Sequence, residues 1–493
     1  MTVLDDIAML VGGERIAPTP GRVIDVTNPF DGRLLAQVAD ATTAQVSDAV
    51  GAAERAAPSW RALPGVERGR LLSRLADLIE ARAEPLAQLE TSDNGKLLSE
   101  TRVQAAFAAR NYRFFAGYAD KIYGHTIPLD SPSLFDYTTR EPVGVAALIT
   151  AWNSPMQLLA NKLAPALAAG CTVVVKPSEV APLTTLAMAG LVREAGFPPG
   201  VVNIVTGGAE AGAALTTDPR LGRISFTGSV RTGQAIAAAA ARTLVPVTLE
   251  LGGKSPNIVF DDADLDRAVV GALAGIFAAG GQTCIAGSRL LVQRSCYDRV
   301  VGELVRRAED IVLGDPAAEG TQLGPLAGQA HLDRVLAMVD AGRASGATLR
   351  TGGTRPDEPA LAQGCFVRPT VFSDVDPAAE LAQEEIFGPV LSVLPFDTED
   401  EAIALANGTE YGLASGIWTR DLARAHRVAR ELVAGTVWVN TYRTSAAQAP
   451  FGGVRRSGYG RERGLEAVDE YLRTKNVMIE LSGDIRDPFV MQA

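Results

Sequence analysis

The sequence predicts an α/β protein whose main unit is a doubly wound parallel sheet. Between residues 144 and 253, short continuous apolar runs alternate with segments that carry apolar residues at helical spacing. This alternation is typical of parallel strands that are buried on both faces by the helices connecting them. A second series of the same kind begins at residue 288, and 493 residues are enough for two or three domains.

The first series starts with the apolar run 144–152, which indicates a buried strand. A helical pattern follows and is expected to stop at Gly170, since glycine commonly ends helices. Four more strands are predicted at 171–178, 201–208, 223–229 and 245–253, with helices at 182–196, around 209–216 and at 230–242.

The second series has the same character. It is predicted from a strand at 288–295, a helix at 297–311, the apolar segment 383–396, a helix at 398–408 and the segment 435–441. Residues 121–143 and the tail after about 470 alternate in character and fit neither series, so they predict an antiparallel appendage.

Composition and charge narrow the class of protein. The chain is 47% hydrophobic and 21% charged, which is typical of a soluble globular protein, and its formal net charge of −11 disfavours nucleic acid or an anionic membrane as partner. The N-terminal residues include aspartates where a secretory signal needs basic residues. The run 271–281 is shorter than the roughly 20 residues of a membrane span. A cytoplasmic protein is expected.

Cys284, in the stretch GGQTCIAGSR, has four candidate roles: inert core thiol, disulfide partner, metal ligand or nucleophile. A reducing cytosol disfavours a disulfide. The chain has no C-x-x-C pair and its histidines, at 125, 331 and 426, are scattered singly, so no metal site is predicted. His331 and His426 lie in polar helical contexts and are expected at the surface, which disfavours a Cys–His hydrolase. An inert thiol and a nucleophile remain open.

Two residues near predicted strand ends could assist a nucleophile. Glu250 lies in an otherwise apolar strand, where burial would raise its pKa and suit it to act as a general base. The alternative is a structural ion pair with Lys254. Asn153 follows the first strand and could donate its amide N–H to an oxyanion, or it could simply cap a turn.

Polar and small residues at other strand ends are suited to a nucleotide. Lys176 and Glu179 end one strand and could bond sugar hydroxyls. Gly228, Ser229 and Gly233 lie where a strand turns into a helix, and a helix N-terminus with small residues accommodates phosphate. The spacing differs from G-x-G-x-x-G, so this is a variant phosphate turn.

In this order and spacing, AWNSP, VVVKPSE, FTGS, LELGGKSP, GQTCIAGSR, EEIFGPV, WVN and PFGGVRRSGYGRERG resemble the motifs of the NAD(P)-dependent aldehyde dehydrogenase superfamily. The resemblance covers nearly the whole chain. It implies a Rossmann-type NAD-binding domain and an α/β catalytic domain of related topology. It also implies a small β appendage that makes a homodimer or homotetramer. The corresponding limits are 1–120 with 143–253, then 254–455, then 121–142 with 470–493.

The resemblance also implies catalytic roles in an enzyme of the hydrolytic, non-acylating type. Cys284 would attack the aldehyde, and Asn153 with the backbone N–H of Cys284 would hold the thiohemiacetal oxyanion. After hydride transfer to the nicotinamide, Glu250 would activate the water that hydrolyses the thioester. Glu462 matches a position proposed to relay protons outward and Lys162 a supporting one, although either could be an exposed surface charge.

For the cofactor, the resemblance implies that Lys176 and Glu179 bind the adenosine ribose. A glutamate beside the 2′-hydroxyl would repel a 2′-phosphate, so NAD is favoured over NADP. Ser229 fits the pyrophosphate site, and Glu385 and Phe387 match the residues that hold the nicotinamide ribose and ring. Trp152 either contacts the cofactor or packs beside it. The expected set is completed by Gly228, Gly233 and Leu251.

The substrate tunnel implied by the resemblance contains several small or polar residues where enzymes for aliphatic aldehydes often carry aromatic ones. A bulky or functionalised aldehyde, such as a semialdehyde, is therefore expected. Arg443 could clamp a substrate carboxylate bidentately, or it could form a surface or inter-subunit salt bridge. The tunnel residues are Leu158, Asn161, Ala278, Thr283, Ile285, Arg443 and Ser445.

Two other functions fit the same resemblance. A CoA-acylating dehydrogenase would resolve the thioester with a thiol, and Glu250 speaks against it because that chemistry needs no water-activating base. A catalytically silent binding or structural protein is disfavoured by the presence together of Cys284, Glu250 and Asn153.

Overall fold

Two large sheets, one small antiparallel sheet and a two-stranded ribbon form the strand framework of the described residues. The computed structural model describes residues 7–483 and residue 489. The strands are β1 (Met9–Val11), β2 (Glu14–Ile16), β3 (Val23–Thr27), β4 (Leu34–Ala39), β5 (Thr126–Ile127), β6 (Leu134–Pro142), β7 (Val145–Ile149), β8 (Thr172–Lys176), β9 (Val202–Ile204), β10 (Leu221–Thr227), β11 (Val247–Glu250), β12 (Pro256–Val259), β13 (Arg289–Gln293), β14 (Thr348–Thr351), β15 (Thr370–Ser373), β16 (Val390–Phe396), β17 (Ala414–Trp418), β18 (Thr436–Val439), β19 (Gly458–Tyr459) and β20 (Leu472–Glu480).

Helices cover both large sheets. They are α1 (Thr43–Ala62), α2 (Gly65–Ala81), α3 (Ala83–Asn94), α4 (Leu98–Ala116), α5 (Pro155–Ala169), α6 (Leu183–Ala195), α7 (Ala209–Thr216), α8 (Val230–Ala240), α9 (Leu265–Ile276), α10 (Tyr297–Glu309), α11 (Gln329–Ala344), α12 (Glu380–Gln383), α13 (Glu399–Asn407), α14 (Leu422–Glu431) and α15 (Glu466–Asp469). In residues 7–483, no helix is long and apolar enough to cross a membrane.

The first large sheet has the order β19-β11-β10-β7-β8-β9-β1-β2. Its five central strands are parallel, which confirms the doubly wound sheet predicted from the alternating apolar runs. Antiparallel strands β1 and β2 extend one edge, and the sequence analysis did not predict them. The carboxyl ends of β7, β10 and β11 meet at the same edge, since Thr227 pairs with Glu250 and Phe226 with Ile149.

The second large sheet has the order β14-β15-β16-β13-β12-β17-β18 and is parallel except for β14, which confirms the second α/β series. In the segment 383–396 only Val390–Phe396 is a strand. The preceding residues form a turn in which Phe387 has a φ of 61°, and this turn carries two side chains of the site described below.

The third sheet is the antiparallel arrangement β20-β6-β5. Strand β20 pairs with β6 along its length, from Leu472 opposite Pro142 to Glu480 opposite Leu134. This pairing shows that residues 121–143 and the chain after 470 come together in one antiparallel sheet. The domain limits given above stay predictions, and residues 1–6, 484–488 and 490–493 of those ranges lie outside the described residues.

Helix α5 illustrates how local sequence sets these elements. Pro155 opens the helix, where its missing N–H costs nothing, and Gly170 ends it with a left-handed φ of 96°. The helix packs against α4, and most of its residues are buried. Its start lies directly after β7, so Asn153 and Ser154 are held at the sheet edge.

Candidate active site

A cavity of about 190 Å³ lies at the edge where the parallel strands of the first sheet end. The residues that line it are distant in sequence and belong to both large sheets or to their connecting loops. It is lined in part by Trp152, Asn153, Leu158, Gly228, Ser229, Glu250, Leu251, Cys284, Glu385 and Phe387. Ten of the predicted site residues therefore face one space.

Cys284 lies on the loop between α9 and β13 and is partly exposed. Three consecutive residues before it, Ala279, Gly280 and Gly281, have left-handed φ values of 55°, 61° and 70°. A Cβ on Gly281 would lie 2.1 Å from the oxygen of Gly388, so only glycine allows the loop to pack so closely there. All four cysteines are free thiols.

The thiol of Cys284 is protonated at neutral pH in this state of the protein. Burial raises its pKa to about 12, and the nearby carboxyl groups of Glu385 and Glu250 add to the effect. The guanidinium of Arg463 acts in the opposite direction. A nucleophilic role for this cysteine consequently requires a group that accepts its proton.

Asn153 is buried between the end of β7 and the start of α5. Its Nδ2 donates a hydrogen bond to the main-chain oxygen of Gln282 at 3.0 Å. Gln282 stands two residues before Cys284, so this bond fixes the amide beside the cysteine loop. A side-chain amide has two donor hydrogens, and one is left for another acceptor in the cavity.

Glu250 is the last residue of β11 and is buried, and neither of its carboxyl oxygens has a hydrogen-bond partner among the described residues. Burial raises the pKa of this carboxyl group well above its ordinary value, and the negative charge of Glu462 raises it further. The alternative of an ion pair with Lys254 is wrong. Lys254 Nζ has no hydrogen-bond partner in residues 7–483, and burial lowers its pKa to about 7.

Lys162 and Glu462 form a buried ion pair, so the alternative of exposed surface charges is wrong. Lys162 projects from α5, and its Nζ also donates to Ser225 Oγ at 2.9 Å. Glu462 is held by main-chain bonds in both directions with Phe451, each of 2.7 Å. The pair acts on Glu250 electrostatically, since Glu462 raises and Lys162 lowers its pKa.

A second cavity of about 570 Å³ adjoins the first and shares Trp152, Gly228 and Ser229 with it. Lys176 and Glu179 line this cavity, with 3.8 Å between Nζ and a carboxylate oxygen. Ser229 caps α8 by accepting a hydrogen bond from Thr232 N at 3.3 Å, so the helix N-terminus opens into the space. A dinucleotide fits this donor set, with sugar hydroxyls at one end and phosphates at the helix start.

Gly233 supports this cavity through packing. A Cβ on Gly233 would lie 2.6 Å from Cδ2 of Leu251, so the glycine lets α8 approach the chain just after β11. Gly228 is constrained similarly, because its Cβ would lie 2.4 Å from the ring of Phe226. Gly233 thus lies where α8 comes close to Leu251, and Gly228 lies against the ring of Phe226 at the end of β10.

Glu385 and Phe387 reach the smaller cavity from the turn before β16. Glu385 Oε1 accepts a hydrogen bond from the backbone N–H of Gly253 at 3.0 Å, and burial raises its pKa to about 7. A Cβ on Gly252 would lie 2.1 Å from Oε2 of Glu385, so the second sheet's turn fits only because residue 252 is glycine. The ring of Phe387 is 5.3 Å from that of Trp152.

The expectation that His331 is a solvated surface residue is wrong. Its ring lies 5.1 Å from that of Trp152, and its Nε2 is 2.7 Å from the main-chain oxygen of Phe387. Burial lowers its pKa to about 4, so the imidazole is neutral and donates this hydrogen bond. Helix α11 turns His331 towards the 384–389 turn, a tertiary contact that its polar sequence context does not indicate. His426 is exposed, as expected.

The predicted tunnel residues divide into two groups. Leu158 faces the cavity with Cys284, and Thr283 is partly exposed beside it. Asn161 is buried, and its Oδ1 accepts from Asn111 Nδ2 at 2.7 Å. Ile285 packs against the core of the second sheet.

Arg443 and Ser445 lie on the segment after β18. Arg443 is partly exposed with a φ of 62°, and its Nη1 donates to the oxygen of Ala274 at 3.3 Å. Within residues 7–483 it forms no ion pair, so the alternative of a surface salt bridge is not found there, and an inter-subunit salt bridge stays a prediction. Ser445 accepts a hydrogen bond from Arg463.

Two cations near the site were missed from sequence. Arg463 is 6% exposed, and its guanidinium carbon lies 4.4 Å from the centre of the Phe451 ring. Lys96 is buried, and its Nζ donates to Ser154 Oγ at 2.6 Å. The position of Arg463 directly after Glu462 was an available signal, whereas nothing in the sequence around Lys96 places it beside the first sheet.

The aldehyde dehydrogenase family model matches residues 16–477. Betaine aldehyde dehydrogenases from strains of Cereibacter sphaeroides are 46–47% identical to the chain over 480 residues, which is 97% of this chain and 98% of each relative.

Solved structures give the same result. The betaine aldehyde dehydrogenase of Staphylococcus aureus in complex with NAD⁺ matches with a TM-score of 0.97 and 39% identity, covering 98% of this chain and 97% of that one. PnpE from Pseudomonas sp. WBC-3 matches with a TM-score of 0.95 and 44% identity, covering 98% and 99%. These matches confirm the predicted fold class and the resemblance on which it was based.

Proposed function

The chain belongs to the aldehyde dehydrogenase family, and on that premise we propose how its site residues share the reaction. The activity is the NAD-dependent oxidation of a functionalised aldehyde to the carboxylic acid. One observation carries the assignment of residues: Asn153, Glu250 and Cys284 line a single cavity together with Glu385 and Phe387.

Cys284 is the nucleophile. Its sulfur forms a bond to the aldehyde carbon, and its proton passes to Glu250, whose unpartnered oxygens share the cavity. The carbonyl oxygen becomes an alkoxide, held by the free Nδ2 hydrogen of Asn153 and by the backbone N–H of Cys284. When bound, NAD supplies the acceptor for the hydride that the thiohemiacetal loses, which leaves a thioester on Cys284.

Glu250 is also the base for hydrolysis. A carboxylate with a raised pKa takes a proton from water efficiently near neutrality. The hydroxyl adds to the thioester carbon, the C–S bond breaks, and the carboxylic acid leaves while the thiol of Cys284 is regenerated. Before hydrolysis Glu250 must release the proton that it took from Cys284, and we assign the passage of that proton away from the cavity to the buried pair Lys162–Glu462, whose charges act on Glu250. The proton that Glu250 then takes from water passes to the departing thiolate of Cys284.

The cofactor contacts follow from the two adjoining cavities. Lys176 and Glu179 hold the adenosine ribose, Ser229 and the start of α8 the pyrophosphate, and Glu385 with Phe387 the nicotinamide ribose and ring. Trp152 closes the junction between the cavities and Leu251 lines the smaller one. The carboxylate of Glu179 would repel a 2′-phosphate, which supports NAD as the preferred cofactor.

The protein works as a homodimer or homotetramer in the cytosol. Large apolar side chains on β6 and β20 and just after β20 are exposed in the single chain: Phe135, Met478, Ile479 and Leu481. A second copy covering them would remove this apolar area from water. A reducing cytosol keeps the thiol of Cys284 available. Light scattering of the purified protein tests the assembly, and a monomer would contradict it.

The decisive experiment follows NADH absorbance with an aldehyde panel in the absence of CoA. Wild-type protein is expected to form NADH and the free acid, which distinguishes it from a CoA-acylating enzyme. Cys284→Ala should form none, while Cys296→Ala, a change at a cysteine far from the cavity, should behave as wild type. NADH formation by Cys284→Ala would show that the nucleophile is wrongly assigned, and an inactive wild type would indicate a silent protein.

A further inference from the structure

We propose that Arg463 determines substrate specificity by binding a carboxylate of the substrate, so that the enzyme prefers semialdehydes with an anionic group over neutral or cationic aldehydes. This inference rests on the proposed function and adds the class of the aldehyde. It differs from the assignment of the carboxylate clamp to Arg443, which is partly exposed and turned towards the oxygen of Ala274.

Arg463 is a buried cation without an anionic partner. It is 6% exposed and forms no ion pair with any residue of 7–483, and its Nε has no hydrogen-bond partner there. Its Nη1 donates to Ser445 Oγ, a neutral acceptor. A buried guanidinium that lacks a counter-ion is costly, and a carboxylate bound beside it would satisfy both the charge and the free N–H.

The segment that carries Arg463 is paired with a segment that passes close to Glu250. Glu462, the neighbour of Arg463 in the chain, pairs through its backbone with Phe451, and the adjacent Gly452 would place a Cβ 2.9 Å from Oε1 of Glu250. In agreement with this placement, Arg463 lowers the pKa of Cys284 and acts on that of Glu250 in the same direction. A substrate joined to Cys284 would therefore bring its remaining groups near Arg463.

The carboxyl groups of Glu462 and Glu250 act on Arg463 through their charge, but within residues 7–483 neither forms an ion pair with it. Glu462 is committed to its ion pair with Lys162. Neither carboxyl oxygen of Glu250 has a hydrogen-bond partner among the described residues, so Glu250 does not bond Arg463. An added anion from the substrate is the remaining way to balance the guanidinium.

The aromatic residues of this region disfavour a cationic substrate. Phe451 and Phe107 could hold an ammonium group against their faces, but the Arg463 guanidinium carbon already lies 4.4 Å and 5.7 Å from the two ring centres. A quaternary ammonium group would compete for these rings and be repelled by Arg463. We therefore expect this chain to disfavour the cationic aldehyde after which its betaine aldehyde dehydrogenase relatives are named.

The test compares acid and methyl ester forms of the same aldehyde. The pairs are succinic semialdehyde with methyl 4-oxobutanoate, and 4-carboxybenzaldehyde with methyl 4-formylbenzoate, and betaine aldehyde is the cationic probe. In wild type, kcat/KM for the acid should exceed kcat/KM for its ester by about 10-fold or more in at least one pair. A charge-assisted hydrogen bond stabilises a complex by enough to give a ratio of this size. Betaine aldehyde should be the poorest of the charged substrates.

Arg463→Met should lower kcat/KM for the preferred acid by about 10- to 100-fold more than kcat/KM for the ester, because the effect of the guanidinium charge on Cys284 and Glu250 is common to both substrates. Arg463→Lys keeps the charge and should retain part of the preference. Arg299→Met, on an exposed ion pair of α10, is the matched control and should leave both values unchanged. The activity of Arg463→Met towards the ester reports that the variant is folded.

Two results with wild type alone would overturn the inference: kcat/KM for the ester equal to or above that for the acid in both pairs, or kcat/KM for betaine aldehyde above that for both acids. These results do not depend on whether Arg463→Met folds. An equal loss for acid and ester in Arg463→Met would assign the residue a structural role. None of these results touches the proposed function, which fails only if NADH is not formed or if Cys284→Ala still forms it.

Discussion

Asn153 Nδ2 lies 3.0 Å from the main-chain oxygen of Gln282, and this hydrogen bond ties the start of α5 to the loop that carries Cys284. The bond crosses from the first sheet's edge to the loop preceding the second sheet's strand β13. It therefore sets the position of the proposed oxyanion donor relative to the proposed nucleophile, and the alignment of the two depends on how the two sheets pack.

Asn153→Ala should lower kcat by about 100- to 1,000-fold, the usual effect of losing one oxyanion-hole donor. Initial rates of NADH formation measure this change, and the melting temperature shows whether the cysteine loop has also been loosened. Asn407→Ala, on the distant helix α13, is a control that removes an amide elsewhere. A loss of less than threefold in Asn153→Ala would remove the residue from the oxyanion site.

Glu250→Gln should keep a rapid burst of NADH when another base is supplied by the buffer, and should slow the steady phase that follows. The reason is that the amide cannot take a proton from the water that attacks the thioester. Stopped-flow absorbance separates the two phases. A steady phase as fast as in wild type would contradict the role of Glu250 in hydrolysis.

The steady rate of wild type should rise as pH increases through neutrality. Burial raises the pKa of Glu250, so the deprotonated base is scarce at low pH and its fraction grows as pH approaches that pKa. Turnover after the burst, measured in buffers of constant ionic strength, checks the slope. A rate that is flat or falling through neutrality would show that Glu250 titrates lower.

Alkylation of Cys284 by iodoacetamide in the cofactor-free protein should accelerate with pH without a plateau up to about pH 10. A raised pKa, here about 12, keeps the thiol protonated, and the thiolate is the reactive form. Mass spectrometry of the modified peptide measures the rate, with the buried Cys171 as internal control. A plateau below about pH 8 would mean that the thiolate already forms in the free enzyme.

Lys162→Met should destabilise the protein by about 3–5 kcal/mol, because it leaves Glu462 buried without its cation. The double variant Lys162→Met with Glu462→Leu should recover much of this loss, since both charges are then absent. Urea unfolding measures the free energy of each variant. Equal destabilisation in the single and double variants would show that the pair is not energetically coupled.

Glu179→Ala should raise kcat/KM for NADP relative to NAD by about 10-fold, because it removes the carboxylate that would repel a 2′-phosphate. The two cofactors are compared at one fixed aldehyde concentration. Glu194→Ala, at an exposed glutamate on α6, serves as the charge-matched control. An unchanged ratio in Glu179→Ala would place cofactor selection elsewhere.

Sequence periodicity determined the parallel core of both sheets, because strands buried on two faces must be apolar throughout and must be followed by covering helices. It also placed Asn153 and Glu250 at strand ends that meet on one edge. It did not predict β1 and β2, a short hairpin that joins the sheet only through the long-range pairing of β1 with β9. It placed His331 at the surface because a helix's polar context does not reveal which turn packs against it.

The sequence by itself determined the family, the proposed nucleophile and the types of residue around it, since these depend on motifs of local spacing. Only the tertiary structure decided how the charged groups are buried and paired. Glu250 does not pair with Lys254, Lys162 and Glu462 are buried together, and Arg463 is buried without an ion-pair partner in residues 7–483. Burial and pairing depend on segments up to several hundred residues apart in the chain. Desolvation and ion pairing, which set the pKa of each group, arise only when the fold brings those segments together.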